Sequence, residues 1–368
     1  MKTSYQLIVS VLFCVVCSKN SFANVLTVSN DPNRPAQYND ISTAFAAAVA
    51  GDTLYVYGSP NIYGDLTINK PITVIGNGFN PRKEIFYHSN LNDIYLSSNV
   101  SNVTMDGITC RRFLAISTSA FTYTNITLKN CYIYQDIAHY NPPSPPACGL
   151  TFNNWLIQNC FIRSLSLGLN SSCSPAGPIV TGFLVKNCHI TTVASNRNLQ
   201  FVNCQLGNDV DGQNFVNNHS NTFDNCIFER YHFLQTNQNT NNVFHNCLTY
   251  QTQSPSANFD LNSWSGGASG SATGCIINQN PLWVNGNPIR SLQPVISTPV
   301  NWDPALQPGS PAINAGSDGT NIGINGGTTP FVKSGEPNIP VIRKFQLVNA
   351  VVPTNGTVTL KATATKAQ

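Results

Sequence analysis

Few residues of this chain could do chemistry, and they cluster. Glu229-Arg230-Tyr231-His232 sets an acid, a base and a titratable imidazole within four positions, the types that general acid–base catalysis uses. An adjacent Glu and Arg are equally what an ordinary solvated strand carries. Upstream, the segment 208–214 alternates oxygen-bearing side chains around Gly212, and Asp209 and Asp211 would be its metal ligands. It reads as a fragment of a Ca²⁺ loop without the closing bidentate Glu, and a polar turn has the same composition. Arg111-Arg112 is a third concentration of charge. Strand alternation turns Arg112 inward, where it would need a partner. A glycosidase needs two carboxyls about 6.5–9.5 Å apart. Between residues 100 and 300 the acids are Asp106, Asp136, Asp209, Asp211, Asp224, Glu229 and Asp260, and only the 209–229 group lies close enough in sequence to converge.

The scarcity is general. Of 368 residues, 19 are Lys or Arg and 16 are Asp or Glu, so 10% are charged, against about 25% in an ordinary soluble domain. Aromatic residues also make up 10% and apolar runs alternate, so the chain can bury a core. A net charge of +3, scattered along the chain, leaves no footprint for a nucleic-acid partner. Residues 1–23 read as a secretory signal peptide. Lys2 supplies the charge, residues 7–16 are apolar, and Ser21-Phe22-Ala23 offers a cleavage site. The mature chain is expected to be secreted or held at the cell surface. No later stretch has the roughly 20 apolar residues that span a bilayer.

The elements that must position the candidate residues are repeats. Asn-Cys recurs at Cys131, Cys160, Cys188, Cys204, Cys226 and Cys247, with Cys110 before and Cys275 after, at spacings of 21, 29, 28, 16, 22, 21 and 28. Around residues 126–133, 155–162 and 183–190 the pattern is the same: apolar residues two apart, Asn, Cys, one outward residue, one apolar residue. Each unit is a short strand, a turn and another short strand, too small to bury its apolar face alone, so units must stack. The expected fold is all-β, a right-handed parallel β-helix over residues 24–330, forming a single monomeric domain. Asn suits the turn because it tolerates left-handed backbone and can pair with the Asn of the next coil. Cys serves as a small interior residue. Cys148 and Cys173 fall outside the series, in Pro- and Ser-rich insertions, and a disulfide between them suits an exported protein. The 16-residue interval from Cys188 is too short for a full coil of this kind.

Stacking aligns the outward residues. Arg111, Tyr132, Phe161 and His189 follow the cysteines by one, and Tyr134 and Arg163 by three. Such a stripe could bind an extended acidic polysaccharide through ring stacking and charge-assisted hydrogen bonds. The same residues also suit a plain strand face with aromatic pairs across coils.

Residues 40–50 read as a short amphipathic helix stopped by Gly51. Asp52-Thr53 and the segment 68–76, Ile-Asn-Lys-Pro-Ile-Thr-Val-Ile-Gly, follow. This order resembles the capping helix and first coils of secreted, pectate-lyase-like bacterial β-helix proteins. Residues 306–327 are similar to the last coil of many of them. Residues 339–368 alternate strongly, and residues 331–368 would form a C-terminal β cap or a secretion or surface-attachment tail. The resemblance implies a protein that engages polysaccharide, in a binding or structural role or as a lyase or hydrolase using Glu229, Arg230 and His232. No such enzyme's catalytic set maps onto the chain residue by residue.

Overall fold

Each repeat folds into short strands joined by tight corners, and successive repeats pair strand on strand. The computed structural model describes residues 23–79, 87–116, 118–140, 149–168, 178–207, 215–229, 239–250, 261, 270–285, 303–347 and 360–366. Eleven of the described strands form one sheet, here sheet A, and ten form another, sheet B. The chain alternates between them. Thr122–Lys129 lies in sheet A, Tyr132–Tyr140 in sheet B, and Thr151–Gln158 in sheet A again, parallel to the first. The fold is a parallel β-helix. The Cys148–Cys173 pair and most of the leader segment lie outside the described residues, among which no helix is long and apolar enough to cross a membrane.

The interior is built of columns. Cys131, Cys160, Cys188, Cys204, Cys226 and Cys247 are buried free thiols. The amide after each cysteine reaches back one coil, as in Phe161 N to Cys131 O at 2.9 Å and His189 N to Cys160 O at 3.0 Å. Ile108, not Cys110, heads this column, because Tyr132 N donates to Ile108 O. Cys110 stands two residues further on, in register with Ile133. Deeper inside, the rings of Phe201, Phe223 and Phe244 stack with centroids 4.7 and 5.1 Å apart, each pair tilted by 10°. The ~4.8 Å strand spacing sets that separation.

The 16-residue interval is a complete coil. Strand His189–Ala194 turns at residues 195–198 directly into Leu199–Val202. The next coil inserts residues 208–214 before rejoining the same register, Phe215 beside Val193. Buried asparagines hold these corners: the side-chain amides of Asn196 and Asn218 donate to Leu165 O and Val193 O at 2.9 and 2.8 Å.

At the N-terminal end, helix Ile41–Ala47 buries Ile41, Ala44 and Phe45 on the first coil, with Asp40 capping Thr43 N at 2.7 Å. The recognisable segments around it have mechanical duties. Asp52 accepts from Asn24 N and Val49 N, both at 2.8 Å, and Lys70 donates to Ala48 O at 2.6 Å.

Residues 306–327 do not form a last coil. From Asp303 the chain turns back and runs along the flank of the helix as a strap. The corner asparagines fasten it in reverse order. Asn246 donates to Ala315 O, Asn225 pairs with Ser317, Asn203 donates to Asn321 O, and Asn187 donates to Ile324 O and Gly326 O at 3.1 and 2.9 Å. Asn159 then brackets Val332. Gly326 is required by close approach, since a Cβ there would collide with Asn321 O and the Asn203 amide. Beyond the strap, Pro340–Leu347 and Leu360–Lys366 pair antiparallel.

Asn187 lies at φ 49°. Asn187→Gly keeps that backbone and removes the two donated strap bonds together with the long one accepted from the Thr329 hydroxyl at 3.5 Å, so it is expected to cost about 1–3 kcal/mol. Asn187→Leu adds the left-handed penalty, about 1–2 kcal/mol more. Urea titrations check both. A Gly variant as stable as the parent would mean that the corner amides do not hold the strap.

Candidate functional site

Strands of sheet B break their alternation at one place, and the break recurs from coil to coil. Two residues, not one, separate the inward pairs Leu91/Ile94, Cys110/Phe113, Ile162/Leu165 and Ile190/Val193; three separate Ile133 from Ile137. An extra residue of this kind bends the strand and turns neighbouring side chains to the same side. Stacked bulges make a ridge. Arg112, expected to point inward, therefore faces outward beside Arg111.

Both guanidinia grip Asp93 of the preceding coil. Arg111 binds it through Nε at 2.9 Å and Nη2 at 2.5 Å. Arg112 uses Nε at 3.2 Å and Nη2 at 2.5 Å, and Tyr95 adds its hydroxyl at 3.1 Å. The Asp93 side chain is 1% exposed, whereas the arginine side chains are 33% and 27% exposed. Burial disfavours the Asp93 carboxylate, yet the hydrogen bonds from Arg112 and Arg111 outweigh it and hold its pKa below the usual carboxylate range. Asp136 on the next coil also acts on Arg112, so Asp93 and Asp136 stand against Arg111 and Arg112, and Arg163 adds the third cation of the ridge. Neither Nη1 takes part in the grip on Asp93. Half-buried Tyr134 and exposed Arg163 continue the ridge over the next two coils, so Arg111 and Arg163 stand roughly 10 Å apart at ~4.8 Å per coil. A rigid cationic fork beside a phenol ring is suited to recognising a carboxylate or sulfate.

The predicted stripe thus divides. Arg111, Tyr134 and Arg163 lie on the ridge. Tyr132, Phe161 and His189 leave the coil interior as expected but are 5%, 3% and 3% exposed. The strap covers them. Phe161 meets Phe331 edge-on at 5.3 Å and Phe79 at 5.0 Å, while His189 packs against Phe161 at 5.6 Å. Ile324 completes the cluster. These three residues form a covered seam, not an open face.

Glu229 is likewise interior. It is 4% exposed, accepts from Gln205 Nε2 at 3.0 Å and from the Trp283 indole N–H, and so ties the pair Trp283–Asn285 and Asp303–Leu306 to sheet B. Arg230, His232, Asp209 and Asp211 lie outside the described residues. Among the described residues no three His, Cys, Asp or Glu side chains are grouped to hold a metal ion. Asp93 and Tyr95 are the ridge residues that the sequence reading missed. Asp93 precedes the Asn-Cys series, and the adjacent Arg111-Arg112 pair is the signal that a carboxylate lies one coil away.

Burial depresses the imidazoles of His189 and of His88, each to about 4. The unfolded chain takes up these protons near pH 6.5, the folded chain only near 4, so stability falls as pH drops between those values. His189→Phe should flatten that fall by about 2 kcal/mol at pH 4.5. Denaturant melts at pH 7.5, 5.5 and 4.5 measure it, and parallel losses in parent and variant would refute a buried neutral His189.

No protein-family model and no curated protein matches the chain.

Proposed function

We propose that the chain is an exported protein, secreted or displayed at the cell surface, of the pectate-lyase-like bacterial kind, whose ridge engages an acidic polysaccharide in a binding or structural role. The observation that carries this reading is Asp93 holding two guanidinia open to solvent beside Tyr134 and Arg163. Fixed guanidinia lose little freedom on binding, so each charge-assisted hydrogen bond contributes more. An extended chain laid along the helix axis would meet a cation at Arg111 and another two coils on. The signal-like leader and the capping-helix segments support export and kinship with secreted β-helices. Lyase or hydrolase activity gains no support from Glu229, which is buried between Gln205 and Trp283.

Affinity electrophoresis in gels containing polygalacturonate, alginate or a sulfated galactan, with neutral glucan as control, tests the ridge. Retardation by at least one acidic polymer is expected, weakening with salt. Arg111→Gln combined with Arg163→Ala should weaken it roughly tenfold, about 1.4 kcal/mol, while an unchanged thermal melt shows the fold intact. Equal mobility in every gel, or retardation indifferent to both substitutions, would sink the proposal.

A further inference from the structure

The strap does not lie flush along its whole length. Asn159 grips it from both sides, its Oδ1 taking Val332 N at 2.7 Å and its Nδ2 reaching Val332 O at 3.3 Å. One coil earlier the column turns away from the strap. Asn159 also donates to Asn130 Oδ1 at 2.5 Å, and Asn130 donates in turn to Asp106 Oδ1 at 2.6 Å. The amides there satisfy one another, so the strap spans the gap without them and leaves a cleft of about 390 Å³. Its floor is Asp106, Lys129 and Gln158 from sheet A, and its far wall is Glu336 and Asn338 from the end of the strap. Pro330 and Val332 add a small apolar surface to the same wall.

Both the size and the lining restrict what fits. Ligand pockets begin at about 300 Å³, so this one takes a small molecule or the end of a chain, not its length. Two carboxyls face one ammonium, which disfavours an anion of the sort suited to the ridge. Carboxylates accept, ammonium groups donate, and side-chain amides do both. A sugar hydroxyl also does both, and a pyranose ring has an apolar C–H face that Pro330 and Val332 can meet. We infer that the seam cleft is a second carbohydrate site, which binds one or two units of a neutral saccharide between the strap and the asparagine column. It differs from the ridge in ligand charge and shares no residue with it, so either site can fail without the other.

Titration calorimetry on the full chain, with β-1,4-glucan, β-1,3-glucan, β-1,4-mannan and α-1,4-glucan tetrasaccharides as probes, provides the test. At least one should bind with a Kd below about 10 mM. Gln158→Ala and Lys129→Ala should each weaken that binding roughly fivefold or more, with thermal melts confirming that the strap stays docked. The ridge variant Arg163→Ala should leave it unchanged. Silence from all four probes overturns the inference, and so does binding that survives both cleft substitutions or falls with Arg163→Ala.

Discussion

The left-handed corner at the Asn-Cys step of each coil is the constraint on which the rest of this molecule depends. Two sheets can be wound from one chain only if the backbone turns sharply between strands. Here it does so at Asn130, Asn159, Asn187, Asn203, Asn225 and Asn246, with φ between 47° and 54°. Glycine would turn as easily, and does at Gly107 and Gly274. Asparagine brings something glycine lacks, an amide that points along the flank and needs partners of its own. Stacking the corners stacks those amides, and a row of unsatisfied amides on a protein flank is a surface that binds backbone.

The strap answers that need. Its carbonyls and amides meet the corner side chains in sequence, and the hydrogen bonds hold Ile324 and Phe331 over Tyr132 and Phe161. Polar fastening and apolar cover are therefore one device. Each buried ring is stabilised by about 1.5–3 kcal/mol, and each corner bond by about 1 kcal/mol, so release of the strap would be cooperative. Where the corner amides pair among themselves instead, from Asn159 through Asn130 to Asp106, the strap bridges open space and the cleft appears. The difference between seam and cleft comes down to which partner the asparagine chooses.

Much of this is legible from local spacing. The coil period, the interior role of the cysteines, the capping helix and the choice of Asn at corners all follow from residues a few positions apart. What resists reading is contact between residues far apart in sequence. Nothing near Phe161 announces that Phe331 will cover it, 170 residues later, so an aromatic column that truly faces outward looks open. The bulge is hidden for a subtler reason. One added residue per strand leaves the Asn-Cys ruler untouched but shifts every outward residue beyond it, which is why Arg112 looks inward-facing. The short coil from Cys188 looks defective only because its neighbours carry insertions. It is the minimal unit.

Charge is scarce enough on this chain that its placement is informative. A buried carboxylate such as Asp93 needs one cation to offset its desolvation, and one bidentate arginine would suffice. Two are present, brought to the same side by the bulge that sheet B repeats from coil to coil. The second guanidinium stands partly exposed near Asp136 on a ridge to which Arg163 adds a further cation, while the apolar column of the same strands is sealed. Features that break a local rule with no structural return are where function is to be sought, and in this β-helix the Asp93–Arg111–Arg112 cluster is the clearest of them.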